Sequence, residues 1–281
     1  MEEIVILSRW VHFAALCFLA GGALFRLVVV PQSPARGREI AVATAAVLSA
    51  LGWLAGVAAE MAGGWPELLA PDTLAAVLTE TRFGQLWCVR LVLLAAMMGV
   101  ACALRSRRMD ILILGLSVAT LGSLVGAGHG VSGSGTLGVV HATADVMHLL
   151  GASAWLGALA ALARLLGEHS HAMIRHALPR FSRLGYGAVA VLLLTGCINT
   201  ASLIAGPEQF FSSEYGLVLL VKLTLVAVML AIAVANRLVL SPRALLGDDF
   251  RALRYSVAVE QFTGVAVLAV VALLGTIPPG R

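Results

Sequence analysis

The chain has 281 residues, 60% of them hydrophobic and only 12% charged, with a net charge of +4 and a mean hydropathy of +0.95. A water-soluble domain of that length needs far more polar surface, so the composition excludes one and describes a polytopic membrane protein. The sequence pI of about 9.2 reflects basic loops, and no nucleic acid is needed to explain it.

Eight apolar stretches reach the ~20 residues that a spanning helix needs. They lie near 4–30, 40–62, 83–104, 109–128, 138–166, 181–205, 215–239 and 253–277. They predict an all-α integral membrane protein of eight transmembrane helices in a lipid bilayer, with little chain left for a separate soluble domain. The first stretch follows Met-Glu-Glu, lacks a basic n-region and is too long for a signal h-region, so it is expected to persist as a helix.

Orientation follows from the basic residues. Placing the N-terminus outside puts Arg26, Arg36 and Arg38; Arg105, Arg107 and Arg108; Arg164, Arg175, Arg180 and Arg183; and Arg237, Arg243, Arg251 and Arg254 in the inner loops. Glu60, Glu67, Asp72, Glu80, Glu208 and Glu214 then fall outside. The positive-inside rule therefore predicts both termini on the periplasmic side.

Taken in order, the helices carry few polar groups, and those few are costly in lipid unless partnered or functional. Helix 1 holds His12, about 12 Å from its outer start at 1.5 Å per residue. Helix 3 holds Arg90. Helix 4 closes on His129 within Gly128-His129-Gly130, and a Ser/Gly-rich turn returns the chain to helix 5. Helix 5 carries His141, Asp145 and His148, spaced four and three apart, so all three project from one stripe of the helix. His148 lies ~15 Å deep, next to Met147, a thioether suited to Cu(I) but more often a packing residue. Helix 6 contributes Asn199, helix 7 Lys222, and helix 8 Glu260, seven residues from its inner start. Glu260 needs a basic partner or a role in carrying protons. The four cysteines lie in apolar helices without C-x-x-C spacing and read as packing residues.

Two halves of the chain match. Phe83-Gly84, Arg90, Met97 and Arg105 recur as Tyr215-Gly216, Lys222, Met229 and Arg237 at one constant offset. His12 is followed by Gly21, and His148 by Gly157, at the same interval. The pattern predicts a duplicated four-helix unit divided as 1–108 and 109–281, forming one membrane domain. Repeat interfaces are where membrane proteins tend to place functional sites.

Imidazole and carboxylate in one buried layer suit metal ligation, with copper, zinc, iron and nickel all compatible. Two turns of rise, ~10.5 Å, separate His141 from His148, which predicts two stations. The outer one comes from His129 and His141. The inner one comes from His12 and His148 facing each other across the bundle axis. Asp145 lies between them as an oxygen ligand or an orienting partner.

The segments His148-Leu-Leu-Gly-Ala-Ser-Ala-Trp155-Leu-Gly157, Arg180-Phe-Ser-Arg183 with Thr195-Gly196, Tyr215-Gly216 through Lys222, and Asn236-Arg237 resemble the copper resistance protein D (CopD) family. Trp10-Val-His12 and Gly128-His129 extend the resemblance across all eight helices. It implies a multi-pass protein of the bacterial inner (plasma) membrane, in copper homeostasis or resistance and usually assigned to copper uptake. The family's histidine positions correspond to His12, His129, His141 and His148. With no Met-rich outer loop and no appended soluble domain, delivery of copper by a periplasmic copper-binding protein is expected. Each half also looks like the four-helix, haem-associated protoporphyrinogen oxidase of the HemJ type, matching His12 with Arg90 and His148 with Lys222.

Two functions lead after this reading, beside a third in which the chain is a structural or assembly membrane protein with satisfied polar residues. One is a copper-binding or copper-moving membrane protein. The other is a haem-binding, b-type cytochrome-like oxidoreductase, with His12 and His148 as axial ligands and Arg90 and Lys222 anchoring propionates. With no G-x-S-x-G, P-loop or H-E-x-x-H motif, the chain reads as a transporter or metal-binding protein before an enzyme.

Overall fold

A computed structural model describes residues 1–31, 36–104, 106–125, 136–168, 171–204 and 206–278. Among them every regular element is helical: α1 (Glu2–Val28), α2 (Arg36–Ala62), α3 (Trp65–Leu68), α4 (Pro71–Glu80), α5 (Arg82–Ala103), α6 (Arg107–Val125), α7 (Thr136–Glu168), α8 (His171–Leu203), α9 (Pro207–Ser212), α10 (Glu214–Ala235), a π-helical turn (Asn236–Leu240), α11 (Ser241–Gly247) and α12 (Arg251–Leu274). Eight of them are long and apolar enough to cross a membrane: α1, α2, α5, α6, α7, α8, α12, and α10 continued to Gly247. The short helices α3, α4 and α9 lie on the face where α1 begins, called here the N-terminal face.

Two spans run past their expected ends. The sixth starts at His171, ahead of 181, and its first turns contain Pro179. Proline removes one amide donor and normally ends a helix. Here Ile174, Ala177 and Leu178 are buried in one cluster with Leu162, Leu165 and Leu166 of α7, and that packing outweighs the local signal. The seventh continues past 239 to Gly247, because the π-helical turn absorbs an extra residue. In that turn the Ser241 amide reaches back to the Asn236 carbonyl.

The eight spans form two rings. In the first, α1 packs on α2, α2 on α5, α5 on α6, and α6 back on α1, closing the circle. In the second, α8 packs on α7, α7 on α12, and α12 on α10, while α10 and α8 make little contact. The helix at 107–125, placed in the second half by the sequence division at 108/109, packs mainly within the first ring.

The rings join along α1 and α7, which cross where Gly21 meets Gly157. A Cβ on Gly21 would fall 2.5 Å from the Gly157 Cα, and one on Gly157 would fall 2.6 Å from the Gly21 Cα. Lipid is as apolar as leucine, so helices in a bilayer associate by close backbone packing, and only glycine permits this crossing. The first ring is also held by ions. Arg26 Nη1 lies 2.8 Å from Glu39 Oε1, and Arg26 Nε donates to Asp110 Oδ1 at 2.8 Å. All three side chains are buried, tying α1 to α2 and α6.

Candidate functional site

In the second ring, α7 turns one polar stripe toward its neighbours. His141 is buried, with Nε2 3.5 Å from Asp145 Oδ2, the contact expected of an i,i+4 pair. Asp145 is also within electrostatic reach of Lys222 and Tyr215 on α10. One turn deeper, His148 Nδ1 lies 3.0 Å from Thr195 Oγ1 on α8. Asn199 is one turn beyond Thr195 toward the N-terminal face, on the level of Asp145, and its buried Oδ1 has no partner. Met147 points away from this layer and is 40% exposed.

The first ring contains a comparable arrangement. His12 is fully buried, and its Nδ1 lies 3.0 Å from the Ala46 carbonyl and 3.3 Å from Ser49 Oγ. Its ring stands edge-on to Trp53, with centroids 5.9 Å apart, and beside Trp87. Arg90 is also fully buried. It donates through Nε to Ser123 Oγ at 3.1 Å and through Nη2 to the Ser123 carbonyl at 2.9 Å. Its guanidinium carbon sits 4.2 Å from the Trp87 ring centre, a cation–π contact.

The hydrogen bonds decide the tautomers. A carbonyl oxygen only accepts, so the proton of His12 sits on Nδ1, facing Ala46. Thr195 Oγ1 gives its single proton to the Val191 carbonyl at 2.6 Å, so toward His148 it too can only accept. Both imidazoles therefore carry Nδ1–H and present an Nε2 lone pair. That of His12 is buried without a partner. An imidazole anchored through one nitrogen and open at the other is the arrangement found in metal-binding histidines.

The expectation that His12 and His148 face each other is corrected. Each ring turns into its own four-helix ring, His12 onto α2 and α5 and His148 onto α8, because Gly21 and Gly157 bring the α1 and α7 backbones together. A haem held between these two imidazoles gains no support from that geometry. His129 lies outside the described residues, so the outer pairing of His129 with His141 does too. Among the described residues, no three His, Cys, Asp or Glu side chains converge as a ready-made metal cage.

Glu260 is buried, and its partners are neutral: Trp155 Nε1 donates to Oε1 at 2.9 Å and Asn236 Nδ2 to Oε2 at 2.8 Å. It stands seven residues further along α7 than the histidine layer, at the level of Trp155. The sequence reading missed the roles of Ser49, Thr195, Ser123 and the two tryptophans. Hydroxyls on apolar helices were the available signal, but nothing local says which helix they will meet.

These features define a multi-pass, all-helical membrane protein with imidazoles and cations sequestered in two rings. Residues 1–139 match the sequence profile described as copper resistance protein D-like, N-terminal domain, and residues 175–274 match that of copper resistance protein D. The chain is 33% identical over 288 residues to Inner membrane protein YebZ of Escherichia coli (strain K12), covering 98% of each chain. It is 32% identical over 303 residues to Copper resistance protein D of Pseudomonas syringae pv. tomato, covering 99% of this chain and 97% of the relative. It is 28% identical over 235 residues to Copper transport protein CutJ of Bacillus subtilis (strain 168), covering 78% of this chain and 41% of that one. No solved structure matches the chain. The chain belongs to the copper resistance protein D family and is an inner-membrane protein.

Proposed function

We propose that the protein binds copper through the imidazoles of its two rings and moves it across, or handles it within, the inner membrane. The observation that carries this reading is the shared tautomer: His12 and His148 each have Nδ1 anchored by an acceptor, which leaves Nε2 as the lone-pair nitrogen, and that of His12 is buried without a partner. Imidazole nitrogen suits copper well. His141 and Asp145 extend the second-ring site toward the N-terminal face, and His129, outside the described residues, is included in the proposal as a further ligand. Lys222 balances Asp145 while no ion is bound. Both termini lie on the periplasmic side in this reading, and a periplasmic copper-binding protein delivers the ion there. The internal duplication is part of the same proposal. Thr81 caps the Gly84 amide at 2.9 Å and Ser213 caps the Gly216 amide at 3.0 Å, matching positions that agree with it.

The test is competition for Cu(I) between purified protein and a chromogenic chelator, with an absorption spectrum of the same sample. Binding that weakens about tenfold or more in His148→Ala, and less in His12→Ala, is expected, each tenfold change corresponding to about 1.4 kcal/mol. Absence of copper binding, or binding unchanged in both variants, overturns the proposal.

A further inference from the structure

Seven residues beyond His148 along α7, about 10 Å toward the face opposite the N-terminal one, a cavity of ≈ 290 Å³ opens between α8 and α10. Those two helices barely touch, so the opening faces lipid. We propose that this cleft binds a lipid-soluble ring molecule bearing hydroxyl groups, of the quinol class, with its head hydrogen-bonded to Glu260 and Asn236 and its tail left in the bilayer.

The floor of the cleft sets the polarity of the ligand. Glu260 and Asn236 are 3% and 7% exposed, and the Asn236 Oδ1 has no partner. Each Glu260 oxygen accepts only one bond, from Trp155 or Asn236, and has further lone-pair capacity. The floor therefore offers buried acceptors, and a ligand that satisfies them must bring donors. The π-helical turn at Asn236–Leu240 places Asn236 there. Such turns frequently mark functional positions.

At the mouth the polarity reverses. Arg237 is exposed and donates through Nε to the Tyr186 hydroxyl at 3.1 Å, so a cation waits for the acceptor end of the same ligand. Between floor and mouth the walls are mostly apolar, interrupted by Ser182 and Ser241, with Phe181 and Trp155 suited to flank a flat ring. The volume is near the lower end of the ~300–1,000 Å³ usual for small-molecule sites, enough for a ring head and too small for a whole lipid. A phospholipid fits poorly. Head-first, its phosphate would meet the Glu260 carboxylate; tail-first, the Asn236 carbonyl would stay unsatisfied.

The proposal stands apart from copper binding and is tested without copper. Full-length protein in lipid nanodiscs is titrated with a short-tailed para-benzoquinol, followed by tryptophan fluorescence and calorimetry, and with the dimethyl ether of that quinol, which keeps the shape and loses both donors. Gly185 lines the cleft and a Cβ there meets nothing within 4 Å, so Gly185→Phe starts without a clash at Cβ and puts a ring into the cleft's volume. The quinol should bind wild type and weaken about tenfold or more in Gly185→Phe and in Glu260→Gln, and the ether should bind at least tenfold more weakly than the quinol. Thermal unfolding of each variant separates loss of the site from loss of fold, and Gly185→Phe serves if Glu260→Gln unfolds. Equal binding of quinol and ether, wild-type affinity in Gly185→Phe, or displacement of the quinol by phosphatidylglycerol overturns the proposal.

Discussion

The first ring is closed and the second is open, although each holds an anchored histidine ten to twelve residues past the start of its first helix. In the closed ring α2 meets α5, and the space between them is filled by Trp53, Trp87 and Arg90, the last clamped on Ser123. In the open ring α8 and α10 stand apart, Lys222 takes the place of Arg90, and a lipid-facing cleft remains. A planar guanidinium can stack on an aromatic face and bridge two acceptors at once, while an ammonium acts as a point charge. The comparison teaches that a shared histidine position can be fully buried in one place and only partly buried in another.

The largest expected effect breaks the closed ring at its ion cluster. Arg26→Leu leaves Glu39 and Asp110 buried without their cation and should cost about 3–5 kcal/mol. Unfolding of the detergent-solubilised protein reads this, and wild-type stability would show that the cluster is dispensable. Next comes the seam between rings. Gly21→Ala forces a Cβ against the Gly157 backbone, which cannot swing aside as a side chain can, and a loss of about 1–3 kcal/mol is expected in the same measurement.

A smaller change makes the rings more alike. Arg90→Lys gives up one hydrogen bond to Ser123 and much of the stacking on Trp87, at a cost of about 1 kcal/mol. It should also raise hydrogen exchange in α5 and leave α10 unchanged; equal exchange in both helices would remove the distinction between rings.

The smallest effect lies outside the membrane, beside the open ring. Hydrogen bonds from His171 and Arg175 hold the Asp248 carboxyl below the usual carboxylate range. The linked stabilisation is therefore present above the ordinary carboxylate value of about 3.9 and disappears as the pH falls through the lowered one. Both partners are exposed, so the contribution is slight. Hydrogen exchange at the start of α8 should quicken only at acid pH, and Asp248→Asn should abolish that dependence.

Some of this was legible residue by residue. The pairing of His141 with Asp145 follows from their spacing on one helix, and all eight spans follow from hydropathy. The helix ends at His171 and Gly247 were hidden, because Pro179 looks like a breaker and a π-helical turn has no local signature. The similar depth of His148, Asp145 and Lys222 follows from the rise per residue. That His12 would meet Ala46 and Ser49, and that Glu260 would meet Trp155 and Asn236, was not legible.

The amino-acid sequence by itself determined that this chain is a bundle of eight membrane helices with costly polar groups at known depths. Transfer into lipid acts on each segment separately, and the rise per residue converts position into depth. Only the tertiary structure decided which way each helix is rotated, which ring closes and which imidazole nitrogen is left free. Those outcomes depend on backbone crossings such as Gly21 on Gly157 and on hydrogen-bond partners far away in the chain, and neither leaves a periodic trace in the sequence.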